Sequence, residues 1–130
     1  MIRAYLLNTG PDGHSHVQRG HIKETSPSTT QSISFSETPA GSSLDWHNAP
    51  SIQYVITLSG TLEFTTHSGA TFVIHPGDIL IAKDTTGSGH KWRLIDDQPW
   101  RRAYVIFNDT ADPHFIADPD PATGQTATTP

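Results

Sequence analysis

The chain has 130 residues, no cysteine and a formal net charge of −5 at pH 7. This length fits one domain, and the lack of cysteine excludes disulfides and thiol catalysis. The acidic balance argues against a nucleic-acid partner, since phosphate binding needs clustered lysine and arginine. No apolar run is long enough to cross a membrane, and the apolar run at residues 2–7 is too short for a secretion signal. We therefore expect a cytoplasmic protein with neither a nucleic-acid nor a membrane partner.

The N-terminal part of the chain predicts one strand, a long loop and a second strand. Residues 2–7 are apolar and suited to a strand. Residues 8–28 are polar and rich in Gly, Pro, His and Ser, which favours a long loop across the mouth of the fold. From residue 29 to 36 the sequence alternates, so Ile33 and Phe35 share one face of the second predicted strand.

The stretch from residue 41 to 60 places polar side chains among strand-forming residues. Because side chains alternate between the two faces of a strand, the odd-numbered residues of one extended segment would share a face. These are His47, Ala49, Ser51, Gln53, Val55 and Thr57. Pro50 can interrupt the alternation, which is therefore continuous only from residue 52 onward. A histidine and a glutamine on one face indicate a functional site instead of a plain core.

The rest of the sequence predicts short strands joined by tight turns, at residues 61–67, 70–74, 79–82, 90–95 and 100–107. Gly and Pro turns separate these segments, and none has a helical period. We predict an all-β sandwich or barrel over residues 29–108, preceded by the N-terminal strand and loop of residues 1–28. A mostly flexible tail follows at residues 109–130, in which Phe115 and Ile116 are apolar enough to dock on the main domain.

Two motifs in this order resemble those of the cupin superfamily. The first is matched by Gly41, His47 and Gly60, with Ala49 in place of its second histidine and Gln53 in place of its glutamate. The second is matched by Gly69, the turn at residues 75–78 and His90. The resemblance covers roughly residues 29–108 and implies a cupin-like jelly-roll β-barrel in which His47, Gln53 and His90 converge. It also implies a homodimer, in which exchange of residues 2–7 between subunits would cover an open strand edge.

The resemblance further implies a metal site, from which the sequence departs at two of four ligands. Metal-binding cupins hold Fe, Mn, Ni, Zn, Cu or Co with three histidines and a glutamate. Here Ala49 cannot bind a metal and Gln53 offers only a neutral oxygen, so His47 and His90 are left without an anionic ligand. The site is compatible with one weakly held divalent ion whose open positions the substrate completes. It is equally compatible with no metal cofactor.

Without a metal, the same side chains support acid–base chemistry. His47 and His90 are candidate general acids or bases, and the Gln53 amide is a candidate donor to a carbonyl or enolate oxygen. Aromatic and polar side chains near them would bind the substrate, and we name Phe35, Thr57 and Trp92.

We predict a small-molecule enzyme that acts inside the barrel on a carbonyl or aromatic metabolite, as an isomerase, cyclase or lyase. One alternative is a non-catalytic cupin that binds or senses a small molecule, and another is a metal-dependent dioxygenase. Fold alone does not choose among these functions. The two retained histidines favour an enzyme, whereas the missing carboxylate ligand argues against a tightly metallated oxygenase.

Overall fold

The computed structural model describes residues 1–119, and in this range the chain forms strands and no helix. The strands are β1 (Ile2–Thr9), β2 (Ser15–Ile22), β3 (Ser32–Thr38), β4 (Ser43–His47), β5 (Gln53–Ser59), β6 (Leu62–Thr66), β7 (Thr71–Ile74), β8 (Ile79–Ala82), β9 (His90–Leu94), β10 (Trp100–Ile106) and β11 (Phe115–Ala117). Over the same residues, no helix is present that has the length and apolar character needed to cross a membrane.

The strands are arranged in two sheets. The larger sheet has seven strands in the order β11-β2-β1-β8-β5-β10-β3, and the smaller sheet has four in the order β4-β9-β6-β7. Neighbouring strands are antiparallel except β1 and β8, which run parallel. Among residues 1–119, no strand pairing joins one sheet to the other. The prediction of an all-β fold is confirmed.

The inner faces of the two sheets enclose the main hydrophobic core. Leu7 and Leu80 enter it from the larger sheet, and Phe64 and Ile74 enter it from the smaller sheet. Along β6 and β9 the buried side chains alternate with more exposed ones, as expected for a sheet with one covered face. Burial of a side chain of this size stabilises the fold by about 1.5–3 kcal/mol. Side-chain packing therefore holds together two sheets that share no strand pairing.

The stretch from residue 41 to 60 is not one extended segment. β4 ends at His47 in the smaller sheet, and β5 begins at Gln53 in the larger sheet. Residues 48–52, which include Pro50, cross from one sheet to the other. The predicted alternation holds only from Gln53 onward, where every second residue of β5 is buried. His47 and Gln53 therefore reach the interior from opposite sheets, not from one strand face.

The loop predicted at residues 8–28 was wrong over its centre, because this segment contains β2. The buried residues of β2 are Ser15, Gln18 and Gly20, which are small or polar. A strand buried in this way has no hydrophobic alternation for the sequence to reveal. Gly20 pairs with Ala117 of the neighbouring strand β11. A Cβ atom at Gly20 would be 2.1 Å from the carbonyl oxygen of Ile116. Only glycine permits this close approach of the two strands.

The first strand is not an open edge of the sheet. β1 pairs with β2 on one side and with β8 on the other. The expected exchange of residues 2–7 between subunits therefore loses its physical reason, while a homodimer stays a prediction. Within residues 1–119, the outermost strands of the larger sheet are β3 and β11.

The segment after β10 packs on the outer face of the larger sheet. Phe107 is 2% exposed in a second cluster with side chains of β1 and β8, and Phe115 packs against that cluster. β11 also pairs with β2. The predicted docking of Phe115 is confirmed, whereas Ile116 is 41% exposed. Of the mostly flexible tail predicted at residues 109–130, residues 120–130 lie outside the described part of the chain.

Candidate functional site

A cavity of about 400 Å³ lies between the inner faces of the two sheets. This volume falls within the range of small-molecule pockets, roughly 300–1,000 Å³. His47, Gln53 and His90 all line the cavity, so the three candidate site residues lie together. Much of the remaining lining is apolar or aromatic and comes from both sheets, namely Ala49, Val55, Phe64, Leu80, Ala82, Trp92 and Trp100.

His90 is held by a buried carboxylate. It is the first residue of β9, it is 4% exposed, and its Nδ1 lies 2.6 Å from Oδ2 of Asp84. Asp84 is fully buried, and its Oδ2 also accepts a hydrogen bond of 2.6 Å from the Ser15 hydroxyl. Because an ionised carboxylate only accepts hydrogen bonds, His90 donates from Nδ1 and carries its lone pair on Nε2. The carboxylate thus orients the ring and stabilises the imidazolium that forms when Nε2 takes a proton.

The second oxygen of Asp84 is unsatisfied. Oδ1 is buried and has no hydrogen-bond partner among residues 1–119. A carboxylate removed from water is costly unless other groups compensate its charge. Asp84 therefore depends on His90 and Ser15, and a proton received by His90 places a positive charge beside the buried negative one.

His47 presents a second imidazole beside the first. It pairs with His90 across β4 and β9, and the two ring centroids are 4.5 Å apart at an angle of 63°. Its Nδ1 donates a hydrogen bond of 2.7 Å to the carbonyl oxygen of Asp45, which leaves the lone pair on Nε2. Burial lowers the pKa of His47 below its usual range and proximity to His90 lowers it further, against the opposing effect of the Asp45 hydrogen bond. His47 is therefore neutral at neutral pH.

A glycine sets the spacing of the two histidine-bearing strands. Gly89, which precedes His90, has φ of 73°, and a Cβ atom there would lie 2.1 Å from the carbonyl oxygen of His47. The left-handed backbone and the close approach both require glycine. The contact between His47 and His90 thus depends on a residue that takes no part in chemistry.

Gln53 brings an uncommitted amide into the same space. It is 5% exposed and lines the cavity, and its side-chain amide makes no hydrogen bond with the rest of residues 1–119. Its NH₂ group is available to donate to a ligand oxygen, and its carbonyl is available to accept or to bind a cation. The described residues contain no group of three or more His, Cys, Asp or Glu side chains placed to hold a metal ion.

The three predicted substrate-binding residues have different positions. Trp92 lines the cavity, where its ring packs edge-to-face on Trp100 at 4.8 Å. Thr57 is 1% exposed and lies behind the cavity lining, where its hydroxyl accepts a hydrogen bond from Trp100 Nε1. Phe35 is 69% exposed on the outer face of β3, and its neighbour Ser34 lines the cavity instead. Alternation groups residues on a face but does not say which face is inward, and Phe35 does not line the cavity.

Sequence reasoning also missed important residues of the cavity. Asp84 continues the inward alternation of Leu80 and Ala82 just beyond the end of β8, and this pattern is visible in the sequence. Arg102 lines the cavity between two inward aromatic residues of β10, Trp100 and Tyr104.

No protein-family model matches this chain, and no curated protein shows significant sequence similarity to it. Function must therefore be inferred from the geometry and chemistry of the site.

Proposed function

We propose that this protein is a small-molecule enzyme that catalyses proton transfer in the cavity between its two sheets. The observation that carries this proposal is the buried Asp84–His90 pair, whose imidazole lies on a cavity of about 400 Å³. A carboxylate-backed imidazole within reach of a substrate is a general base with a built-in counter-charge. The substrate class we propose is a carbonyl or aromatic metabolite, and the reaction is an isomerisation, cyclisation or elimination.

In the proposed reaction, Nε2 of His90 removes a proton from a carbon next to a substrate carbonyl. The electron pair of the C–H bond moves onto the carbonyl oxygen, and the Gln53 NH₂ group donates to that developing negative charge. His90, now an imidazolium beside Asp84, returns the proton to another substrate atom. Neutral His47 accepts a hydrogen bond from a substrate hydroxyl, and its lowered pKa keeps it available for this role.

We propose that the two sheets form a cupin-like jelly roll. Support comes from the spacing of the two motifs and from the pairing of His47, in the first motif, with His90, in the second. The inner faces of both sheets contribute to one cavity, as in small barrels that bind ligands. We further propose a homodimer, for which light scattering should give twice the chain mass of 14.2 kDa; the mass of one chain would contradict it.

Proton transfer is tested by solvent exchange. Carbonyl metabolites are incubated with the protein in D₂O, and ¹H NMR follows the loss of the signal from the hydrogen next to the carbonyl. We expect His90→Gln to slow exchange by about 10²–10⁴-fold, the usual contribution of a positioned base. The matched control is His75→Gln, since the His75 side chain is 62% exposed in a turn. Compounds that bind but are never exchanged or converted would establish a non-catalytic binding protein.

A second candidate function is metal-assisted chemistry, and the hydrogen bonds of the two histidines favour it. Each donates its Nδ1 proton to an oxygen, which is how metal-binding histidines are commonly oriented. Nε2 of His47, Nε2 of His90 and the Gln53 carbonyl are the donors that would hold a divalent ion. Such an ion would polarise a substrate carbonyl, and a dioxygenase would require one.

Elemental analysis decides this second candidate. Protein purified without chelator should contain near-stoichiometric transition metal, which His47→Ala and His90→Ala should lose and His75→Ala should retain. A protein that takes up no metal after reconstitution with each of Fe, Mn, Ni, Zn, Cu and Co would exclude it.

A further inference from the structure

Arg102 is a charged side chain buried at the cavity without an opposite charge. It is 9% exposed and lines the cavity. Among residues 1–119, no carboxylate lies within ion-pair distance of its guanidinium. An ionised group removed from water is costly unless a partner compensates its charge. The fold therefore maintains a positive charge at the cavity that nothing in the described chain neutralises.

Neutral groups hold the guanidinium in a fixed plane. Nε donates to the Tyr104 hydroxyl at 3.0 Å, and Nη1 donates to Oγ1 of Thr38 at 2.6 Å and to the carbonyl oxygen of Trp100 at 3.0 Å. The guanidinium carbon also lies 3.9 Å from the centroid of the Trp100 ring, a cation–π contact. Arginine carries five N–H donors, and no hydrogen bond from Nη2 to the described residues is present. The side chain is thus oriented while its Nη2 donors stay available.

The neighbouring residue Arg101 has an acidic partner on the adjacent strand, whereas Arg102 does not reach it. Arg101 is exposed and forms an ion pair with Glu37 on the adjacent strand β3. Because side chains alternate across a strand, Glu37 and Arg101 lie outside the sheet and Arg102 lies inside it. Arg102 therefore lacks an ion pair with Glu37 because its side chain lies on the inner face of the sheet and Glu37 lies on the outer face.

We propose that Arg102 binds the carboxylate of the substrate. This inference rests on the proposed enzymatic function and names its substrate class: a small organic monocarboxylate with a carbonyl or aromatic group. A planar guanidinium matches a carboxylate in shape and hydrogen bonding. Arg102 is the only lysine or arginine among the described residues that line the cavity, and one positive charge balances one negative charge.

Contacts along the cavity define how such a ligand lies. On β9, Trp92 is the next inward residue after His90. Trp92 contacts Trp100, and the Trp100 ring in turn packs against the Arg102 guanidinium. The carboxylate binds at Arg102, the body of the ligand lies against the two tryptophans, and the reacting carbon faces His90. Gln53 pairs with Ile106 and Thr57 pairs with Arg102, which places the backbone positions of Gln53 and Arg102 about 14 Å apart along the strands.

Binding of matched acids and amides tests the proposal. The probes are pyruvate, phenylpyruvate, benzoate, salicylate and phenylacetate, each compared with its own primary amide by isothermal titration calorimetry. We expect at least one acid to bind the native protein at least tenfold more tightly than its amide. Arg102→Met should weaken that acid by about 30-fold or more, the scale expected when a buried charge pair loses a partner. The matched control, Arg101→Met, should change the dissociation constant by less than twofold.

A measurement on the native protein tests the proposal without depending on the folding of a variant. The acid should shift the ¹⁵Nε resonance of Arg102 in a saturable way and leave that of Arg101 unmoved, and the amide should shift neither. Acids that bind no better than their amides, an Arg102 resonance unmoved by every acid, or a folded Arg102→Met protein of unchanged affinity would each overturn the proposal.

The same measurements separate this proposal from the enzymatic one. Arg102-dependent binding without any proton exchange would leave the carboxylate site standing and reject the enzyme. Proton exchange on neutral carbonyl compounds with no preference for acids would support the enzyme and reject the carboxylate site at Arg102.

Discussion

The cavity has two ends that hold their charged groups in opposite ways. At the histidine end, formed by His47, Gln53, Asp84 and His90, the chain supplies its own buried carboxylate. At the arginine end, formed by Thr38, Trp100, Arg102 and Tyr104, residues 1–119 supply only neutral hydrogen-bond partners and an aromatic face.

The difference follows from what each end has to do. An imidazole that gains and loses a proton needs a permanent counter-charge, so that its charged form is stabilised when it appears. A guanidinium is always charged, and a built-in carboxylate would occupy the position of a ligand. The arrangement thus assigns proton transfer to the histidine end and anion binding to the arginine end.

The largest effect should come from removing the buried charge at the histidine end. Asp84→Asn keeps the size of the side chain but supplies no charge to stabilise imidazolium on His90. We expect proton exchange to slow by about 10³–10⁴-fold, the scale of such a change in carboxylate–imidazole sites. Carboxylate binding at Arg102 should stay within about threefold. The control is Asp109→Asn, since the side chain of Asp109 is 71% exposed. An exchange rate within tenfold of the native rate would show that proton transfer at His90 does not depend on the charge of Asp84.

The free energy of unfolding of two glycine variants should distinguish the effect of a steric clash between β4 and β9 from that of a side chain at positive φ. Gly89→Ala and Gly69→Ala both place a side chain at positive φ, 73° and 86° respectively. Nothing lies within 4 Å of a Cβ atom at Gly69, whereas one at Gly89 would meet the His47 carbonyl. We expect urea unfolding to show a loss of about 1–2 kcal/mol for Gly69→Ala and a further loss of about 1–3 kcal/mol for Gly89→Ala. Equal losses would show that β4 and β9 can separate freely.

The smallest effect should be in the pH dependence of stability. Because the pKa of His47 in the folded protein is lowered by burial, the unfolded chain binds a proton more readily than the folded one. The stabilising contribution of neutral His47 is therefore complete above its unfolded pKa of about 6.5 and is lost as the pH falls toward and through the lowered value. In urea unfolding without metal, native protein should lose more stability than His47→Gln between pH 7.5 and pH 5. Parallel curves would show that burial of His47 carries no penalty for its charged form.

Prediction from sequence succeeded where burial is hydrophobic and failed where it is polar. The predicted strands near residues 2–7, 61–67 and 100–107 correspond to β1, β6 and β10. β2 was missed because its buried residues are small or polar. The crossing at residues 48–52 was missed because alternation continues on either side of Pro50 and gives no sign of a change of sheet.

The candidate site shows the same division. His47, Gln53 and His90 were identified from the resemblance of two segments to the cupin motifs, and they line one cavity. Asp84 was missed because a carboxylate is rarely fully buried, although it continues the alternation of Leu80 and Ala82. Its contacts with His90 and Ser15 show that it faces inward. Phe35 was chosen because it is aromatic, yet the edge strand that carries it turns this side chain outward.

The sequence by itself determined the all-β class and most strand positions, and its resemblance to two known motifs identified three of the four residues of the histidine end. These are local properties, since turn chemistry, alternation and residue type act over a few neighbours. The tertiary structure alone decided which strands belong to which sheet, which carboxylate orients His90 and which arginine is left without a counter-charge. Those features join residues far apart in the chain, as Ser15, Asp84 and His90 are, and sequence spacing carries no information about such contacts.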